Sequence, residues 1–216
     1  GHLCLFFGDV LTPRQTLVSY AASMGPSKNN LPPNHAKQLS RFDYLSVRDD
    51  HTRRSLEKIG LKPAIVLDPT LLVNAFGLVD RLTPKEVIGK SFILVYCANL
   101  GEELRRELRE LSHRESLEIV ICGYSQQGIG IDLSYLGPKS WLNLFREADF
   151  VVTDTFHGTI FSLLSSTNFV TLDRVAIRNK ALHLLSKLEL EDHYSHRGID
   201  GGFSKSVDWK TVELRL

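Results

Sequence analysis

The stretch Ala148-Asp149-Phe150-Val151-Val152-Thr153-Asp154-Thr155-Phe156-His157-Gly158-Thr159-Ile160-Phe161-Ser162 decides how this chain folds. The apolar run Phe150 to Thr153 predicts a buried strand, Thr-Phe-His-Gly predicts a turn, and Thr159 to Ser165 predicts a helix. A strand, a tight loop and a helix in that order are the repeating unit of an open α/β sheet. In such sheets ligands gather where strands end and helices begin. Helix N-termini favour anions there, through unsatisfied N–H groups and the macrodipole. His157 therefore stands, as a titratable group, where a charged substrate would meet it.

Working outward, strands and helices alternate along the chain. Upstream, Leu3 to Phe7 and Thr16 to Ser23 predict strands, Pro26 to Pro33 a loop, and His35 to Arg41 a short helix. Tyr44 to Val47 predicts a strand, and Asp49 or Asp50 caps a helix from His51 to Ile59 that stops at Gly60. Ala64 to Leu67 predicts a strand closed by Asp68-Pro69-Thr70, and Val73 to Gly89 reads as a connector. Beyond it come a strand at Phe92 to Cys97, a charged helix at Glu102 to His113 and a strand at Leu117 to Cys122. Trp141 to Glu147 predicts a helix. Phe169 to Leu172 predicts a strand, Ile177 to Leu188 an amphipathic helix, and the tail around Trp209 a short helix. This alternation is the mark of an α/β protein with parallel sheets.

Composition narrows the function classes. The chain has 216 residues, 43% hydrophobic and 24% charged, with a net charge of +1. That balance gives no electrostatic footprint for nucleic acid or a membrane surface. No apolar run reaches spanning length, and the opening Gly1-His2-Leu3-Cys4-Leu5-Phe6-Phe7 lacks the basic flank of a secretion signal. The three cysteines, Cys4, Cys97 and Cys122, have neither metal-ligand spacing nor a disulfide framework, so buried free thiols and a cytoplasmic location are expected, with peripheral attachment to the inner face of the membrane as the variant.

Four loops at strand ends carry candidate chemistry. Arg48 follows a strand and can present its planar fork to a carboxylate or phosphate; a surface interaction with Asp49 or Asp50 is the alternative. Asp68, before Pro69, reads chiefly as a turn residue. In Gly123 to Gly128, Gly123 lets backbone approach a ligand and Ser125, Gln126 or Gln127 can meet a hydroxyl, although a plain flexible loop accounts for the same residues. Asp154, Thr155 and Gly158 surround His157: Asp154 to orient the loop, cap the helix or hold the imidazole, Thr155 and Gly158 as substrate contacts, with Thr155 or Thr159 capping the helix as the alternative. The other histidines, His2, His35, His51, His113, His183, His193 and His196, read as solvated. Arg105, Arg106, Arg109 and Arg114 alternate with glutamates and read as a salt-bridged helix face.

The succession Ser46-Val47-Arg48-Asp49, a helix, Val66-Leu67-Asp68-Pro69-Thr70-Leu71-Leu72, then Ala148 to Ser162 resembles the polysaccharide pyruvyl transferase family. Tyr20-Ala21-Ala22-Ser23-Met24-Gly25 is similar to that family's Tyr-Ala-Ala-Ser-Phe-Gly, and the helix beginning at Arg178 resembles its C-terminal helix. The resemblance implies Rossmann-like parallel sheets in a GT-B-like two-domain architecture, with residues 1–80 an incomplete N-terminal domain and 81–216 a C-terminal one with closing helices. It implies transfer of a pyruvyl group from phosphoenolpyruvate to a sugar diol as a ketal, in exopolysaccharide or cell-wall polysaccharide synthesis. His157 and Gly158 occupy the family's His-Gly slot and Arg48 its Ser-Val-Arg slot; many members carry arginine or serine where this chain has Thr155. The implied partners are phosphoenolpyruvate and a saccharide acceptor, with no cofactor or metal; a homo-oligomer is left open. A nucleotide-sugar glycosyltransferase, a non-catalytic sugar- or anion-binding module and a structural partner of an envelope enzyme are the competing readings.

Overall fold

The computed structural model describes residues 15–25, 33–73 and 89–215. The expected strand at Leu3 to Phe7, most of the loop before Pro33, the connector after Val73 and the boundary between residues 80 and 81 lie outside them, as does Cys4. The chain divides into two units, Gly1–Pro69 and Thr70–Leu216.

In the first unit, strand β1 (Val18–Ala22) precedes helix α1 (Pro33–Leu39), β2 (Tyr44–Val47), α2 (Asp50–Glu57), β3 (Ala64–Ile65) and a 3₁₀ turn over Pro69–Leu72 that begins at its last residue. The strands pair in parallel in the order β1-β2-β3. Helix α1 opens at Pro33, two residues before the expected start, because proline suits a first helical position. Between Ser19 and Ala22 strand β1 holds one residue more than its partner, and the surplus residue Ala21 carries φ of 54°, a bulge that bends the strand. Of the two candidate caps, Asp49 caps α2: it is buried, and its Oδ1 accepts from Thr52 N at 2.7 Å.

The second unit holds a six-stranded, all-parallel sheet in the order β6-β5-β4-β7-β8-β9. Its elements are β4 (Phe92–Tyr96), α3 (Glu102–Glu115), β5 (Glu118–Ile121), β6 (Ile131–Asp132), α4 (Pro138–Glu147), β7 (Phe150–Thr153), α5 (Phe156–Leu164), β8 (Phe169–Leu172), α6 (Arg178–Lys187), β9 (Tyr194–Ser195), α7 (Asp200–Phe203) and α8 (Trp209–Arg215). Strand β4 reads Phe-Ile-Leu-Val-Tyr because both its faces are covered. Phe92 and Leu94 face one core with Phe145, Ile160 and Leu185; Ile93 and Val95 face the other with Leu108 and Leu111. The two-residue strands β6 and β9 and the one-turn helix α7 add to the expected elements; none is long enough to show a period in the sequence. His193, expected in solvent, is buried, with Nδ1 2.9 Å from Phe169 O.

Helix α5 begins at Phe156, three residues before the expected Thr159, because Thr155 caps it: its Oγ1 accepts from Gly158 N at 2.9 Å. Past β8, Asp173 ties three segments together. Arg178 donates to both its oxygens at 2.8 and 2.5 Å, Tyr194 OH donates to Oδ1 at 2.6 Å, and His196 Nδ1 lies 3.2 Å from Oδ2. The Arg178 fork holds the Asp173 carboxyl well below the usual carboxylate range, against the opposing pull of burial.

Two stability outcomes are expected. Leu94→Ala, at the fully buried centre of β4, should cost about 2–5 kcal/mol in chemical denaturation. Because the folded Asp173 pKa is depressed, its stabilisation is full above the unfolded value and is lost as pH falls through the folded one. Thermal melts should therefore show a gap between wild type and Asp173→Asn that is full above about pH 4 and closes in more acidic solution. A gap independent of pH would contradict this assignment.

Candidate functional site

The carboxyl ends of β4, β5 and β7 carry most of the candidates, because parallel strands place all their exit loops on one edge. At the centre is the β7–α5 turn. Thr153 Oγ1 donates to Tyr96 O at 2.7 Å, and therefore accepts from the Thr155 hydroxyl at 3.0 Å and from Thr155 N at 3.1 Å. Thr155, 8% exposed, thus spends its proton on Thr153 and offers its oxygen to Gly158 N. Of the two roles expected of Thr155, ligand contact and helix cap, its hydrogen bonds serve the cap. Gly158 is a glycine for the same local reason: a Cβ there would stand 2.1 Å from Thr153 Oγ1.

Held by this turn, His157 projects from the first turn of the nine-residue helix α5 and is exposed while its neighbours on both sides are buried. Its ring lies 5.8 Å from the Phe156 ring and 6.3 Å from that of Phe161. An exposed imidazole at a helix N-terminus can meet an anion and exchange protons with it near neutral pH. Asp154 faces elsewhere. Its Oδ1 accepts from Ala98 N at 2.7 Å, which ties the exit of β4 to that of β7, and its Oδ2 lies 3.9 Å from Arg174 Nη1.

The loop after β5 is tied down rather than flexible. Arg105 Nη1 donates to Gln127 O at 2.7 Å and Arg109 Nη2 to Gly128 O at 3.3 Å. Arg105, expected on a solvated face, is therefore turned partly inward, with its side chain 15% exposed. Gln126 is buried; it donates from Nε2 to Cys97 O at 3.2 Å and accepts from Arg105 at 3.3 Å. Ser125 donates to Asp132 Oδ2 at 2.5 Å and holds that carboxyl below its ordinary range. Among the loop's polar candidates, the Gln127 side chain is exposed. Gly123 has φ of 70°, and a Cβ there would stand 2.4 Å from the Tyr96 ring. Its glycine is thus needed to let Tyr124 stack on Tyr96 at 5.4 Å between centroids.

That stack belongs to an aromatic run that the sequence alone does not single out, because its members are scattered along the chain. Trp141 meets Tyr96 edge-on at 5.1 Å and Phe161 at 5.0 Å, so rings extend from the half-exposed Tyr124 to His157. Burial and Tyr124 push the Tyr96 hydroxyl well above its ordinary range, so it stays protonated. Cys97 and Cys122 are free and buried as expected, and burial raises both thiols, which leaves them inert as nucleophiles.

Arg48 lies in the first unit. Its ion pair there is with the buried Asp68. The two aspartates expected beside it have other work: Asp49 is the helix cap, and Asp50 pairs with Arg53 at 2.9 Å. Arg174 is a further candidate by the rule that nominates Arg48, an arginine in a strand's exit loop, here separated by one residue from the end of Phe169–Leu172. Among the described residues no group of three or more His, Cys, Asp or Glu is placed to hold a metal ion, and no helix is long and apolar enough to cross a membrane.

Comparison with known proteins agrees with this architecture. A Listeria monocytogenes protein assigned as a UDP-N-acetylglucosamine 2-epimerase, of known crystal structure and GT-B-type fold, superposes with a TM-score of 0.59 at 15% identity; the match covers 99% of this chain and 62% of that one. The wall teichoic acid polymerase TagF, bound to CDPG, gives a TM-score of 0.36 at 14% identity over 85% of this chain and 49% of that one. The chain thus spans less than two thirds of the length of either structure. No curated protein matches. The sequence model for polysaccharide pyruvyl transferase matches residues 3–174 of the 216, and the chain belongs to that family.

Proposed function

We propose that the protein transfers a pyruvyl group from phosphoenolpyruvate to two hydroxyls of a saccharide, forming a cyclic ketal and releasing phosphate. The observation that carries the reading is the exposed His157 on the first turn of α5, in a chain of this family. In the reaction one acceptor O–H proton ends on the methylene carbon of phosphoenolpyruvate, making the methyl group. The two acceptor oxygens bond to C2, and the C2–O bond to phosphate breaks. The second O–H proton leaves with the phosphate.

His157 is the group that moves a proton in this scheme, since its imidazole is exposed and suited to both halves of general acid–base catalysis. The N-terminus of α5 favours the anionic donor beside it. Asp154 is a positioning residue, acting through Ala98 on the β4 exit loop. Arg48, ion-paired with Asp68 within the first unit, is a proposed anion-binding residue of that unit. Gln127 and the outer face of Tyr124 are contacts for the saccharide. The product belongs to exopolysaccharide or cell-wall polysaccharide synthesis, and the donor places the reaction in the cytoplasm.

A thermal-shift titration tests the donor directly. Phosphoenolpyruvate should raise the midpoint more than equal phosphate or pyruvate, and His157→Ala or Arg48→Ala should remove the difference. In a phosphate-release assay with a diol-bearing saccharide, His157→Ala should lower turnover by about 10²–10⁴-fold. Equal responses to phosphoenolpyruvate and inorganic phosphate would sink the reading, and a response to UDP or CMP alone would move it to glycosyl transfer.

A further inference from the structure

Strand β7 reads Phe150-Val151-Val152-Thr153 and is buried along its whole length. An apolar β-branched residue would suit its last position, and valine has the outline of threonine. Thr153 instead places a hydroxyl there with no exposure to solvent, which is costly unless its hydrogen bonds are made. A hydroxyl has one proton to give and two lone pairs with which to accept. Thr153 Oγ1 gives its proton to Tyr96 O at 2.7 Å, and accepts from the Thr155 hydroxyl at 3.0 Å and from Thr155 N at 3.1 Å. That uses its full capacity and leaves nothing for a substrate, and the transfer scheme gives this residue no part.

What this oxygen touches lies on both sides of His157. Thr155, two residues before it, is bonded to the oxygen twice. Gly158, the next residue after it, passes so close that a Cβ would stand 2.1 Å from Thr153 Oγ1. The Gly158 N–H in turn donates to Thr155 Oγ1 at 2.9 Å. Phe156 and Thr159 are buried as well. The backbone on either side of His157 is thus referred to one buried oxygen, and that oxygen is fixed to β4 through Tyr96. The freedom left to the exposed His157 is rotation of its own side chain. For an acid–base group such placement matters, because a misplacement of about 1 Å can cost about 10²-fold in rate.

We propose that Thr153 is a positioning residue for His157: its hydroxyl, and not its shape, sets the backbone from which the imidazole reaches a substrate. For the reaction this rests on the pyruvyl-transfer reading above; for where the His157 ring stands it does not.

The test separates hydroxyl from shape. Thr153→Val keeps the outline and removes the oxygen; Thr153→Ser keeps the oxygen and removes the methyl group. Both are compared with wild type in two measurements. In NMR spectra of protein isotope-labelled at the histidine Cε1 atoms, the His157 signal is the one missing from His157→Ala. It should move in Thr153→Val and stay in Thr153→Ser. The signal of His193, buried against Phe169, should stay in both and report an intact sheet. In the phosphate-release assay kcat should fall about 10²-fold in Thr153→Val, with KM for phosphoenolpyruvate little changed, and serine should restore it. A role in stability alone would lower the melting temperature and leave kcat unchanged below it. A His157 signal that stays in Thr153→Val, a kcat that stays, or a serine variant as impaired as the valine one overturns the proposal. If Thr153→Val loses the His193 signal, Gly158→Ala takes its place. The added Cβ must displace the turn from the same oxygen, so the His157 signal should move while that of His193 stays, and a stationary His157 signal overturns the proposal. If wild type releases no phosphate from phosphoenolpyruvate, the transfer reading fails, and the His157 signal alone decides whether Thr153 positions the ring.

Discussion

The turn between β7 and α5 is built from hydroxyls, and each proton in it has one place to go. Thr153 gives its proton to Tyr96 O, so Thr155 must give its own to Thr153, and Thr155 Oγ1 is left to accept from Gly158 N. One turn on, Thr159 donates to Thr155 O at 3.2 Å, so the 2.8 Å contact to Thr171 runs from Thr171 to Thr159. The chain of bonds reaches from β4 through β7 to β8. It joins three strands at the edge where ligands would sit and sets where the first turn of α5 begins. His157 inherits its position from it. Losing the cap alone would cost about 1 kcal/mol; the larger effect would be on the direction in which the imidazole points.

Charge on this edge follows a consistent division. Asp173, which holds three segments together, accepts on both oxygens from the protein. Asp154 fastens the β4 exit with one oxygen, and its other oxygen lies 3.9 Å from Arg174 Nη1. Saturated carboxylates stabilise and are silent toward solutes.

Much of this is legible in the residues. The apolar runs at Phe92 and Phe150 point to buried parallel strands because such strands have no polar face to interrupt them. The start of α5 is harder to place because of Gly158. A glycine after histidine suggests a loop, but here it sits inside a helix and marks the close approach of backbone to the Thr153 hydroxyl. The partners of Arg48 and Gln126 are beyond reach for a different reason. Asp68 and Arg105 lie some twenty residues away in sequence, and only the strand order brings them near. His193 stands beside Glu191 and Asp192 and looks solvated in sequence, yet β9 carries it under the sheet against Phe169.

The strand order also bears on how the protein keeps to itself. Among the described residues, the large sheet ends on β6 and β9, which are two residues long, Ile131–Asp132 and Tyr194–Ser195. An all-parallel sheet assembles through contacts distant in sequence and is exposed to mispairing while it forms. Edges this short offer few unpaired backbone groups for another chain to extend. The same brevity that hides these strands from periodicity makes them poor templates for aggregation, so insertions that lengthen either one should be read first for their effect on solubility.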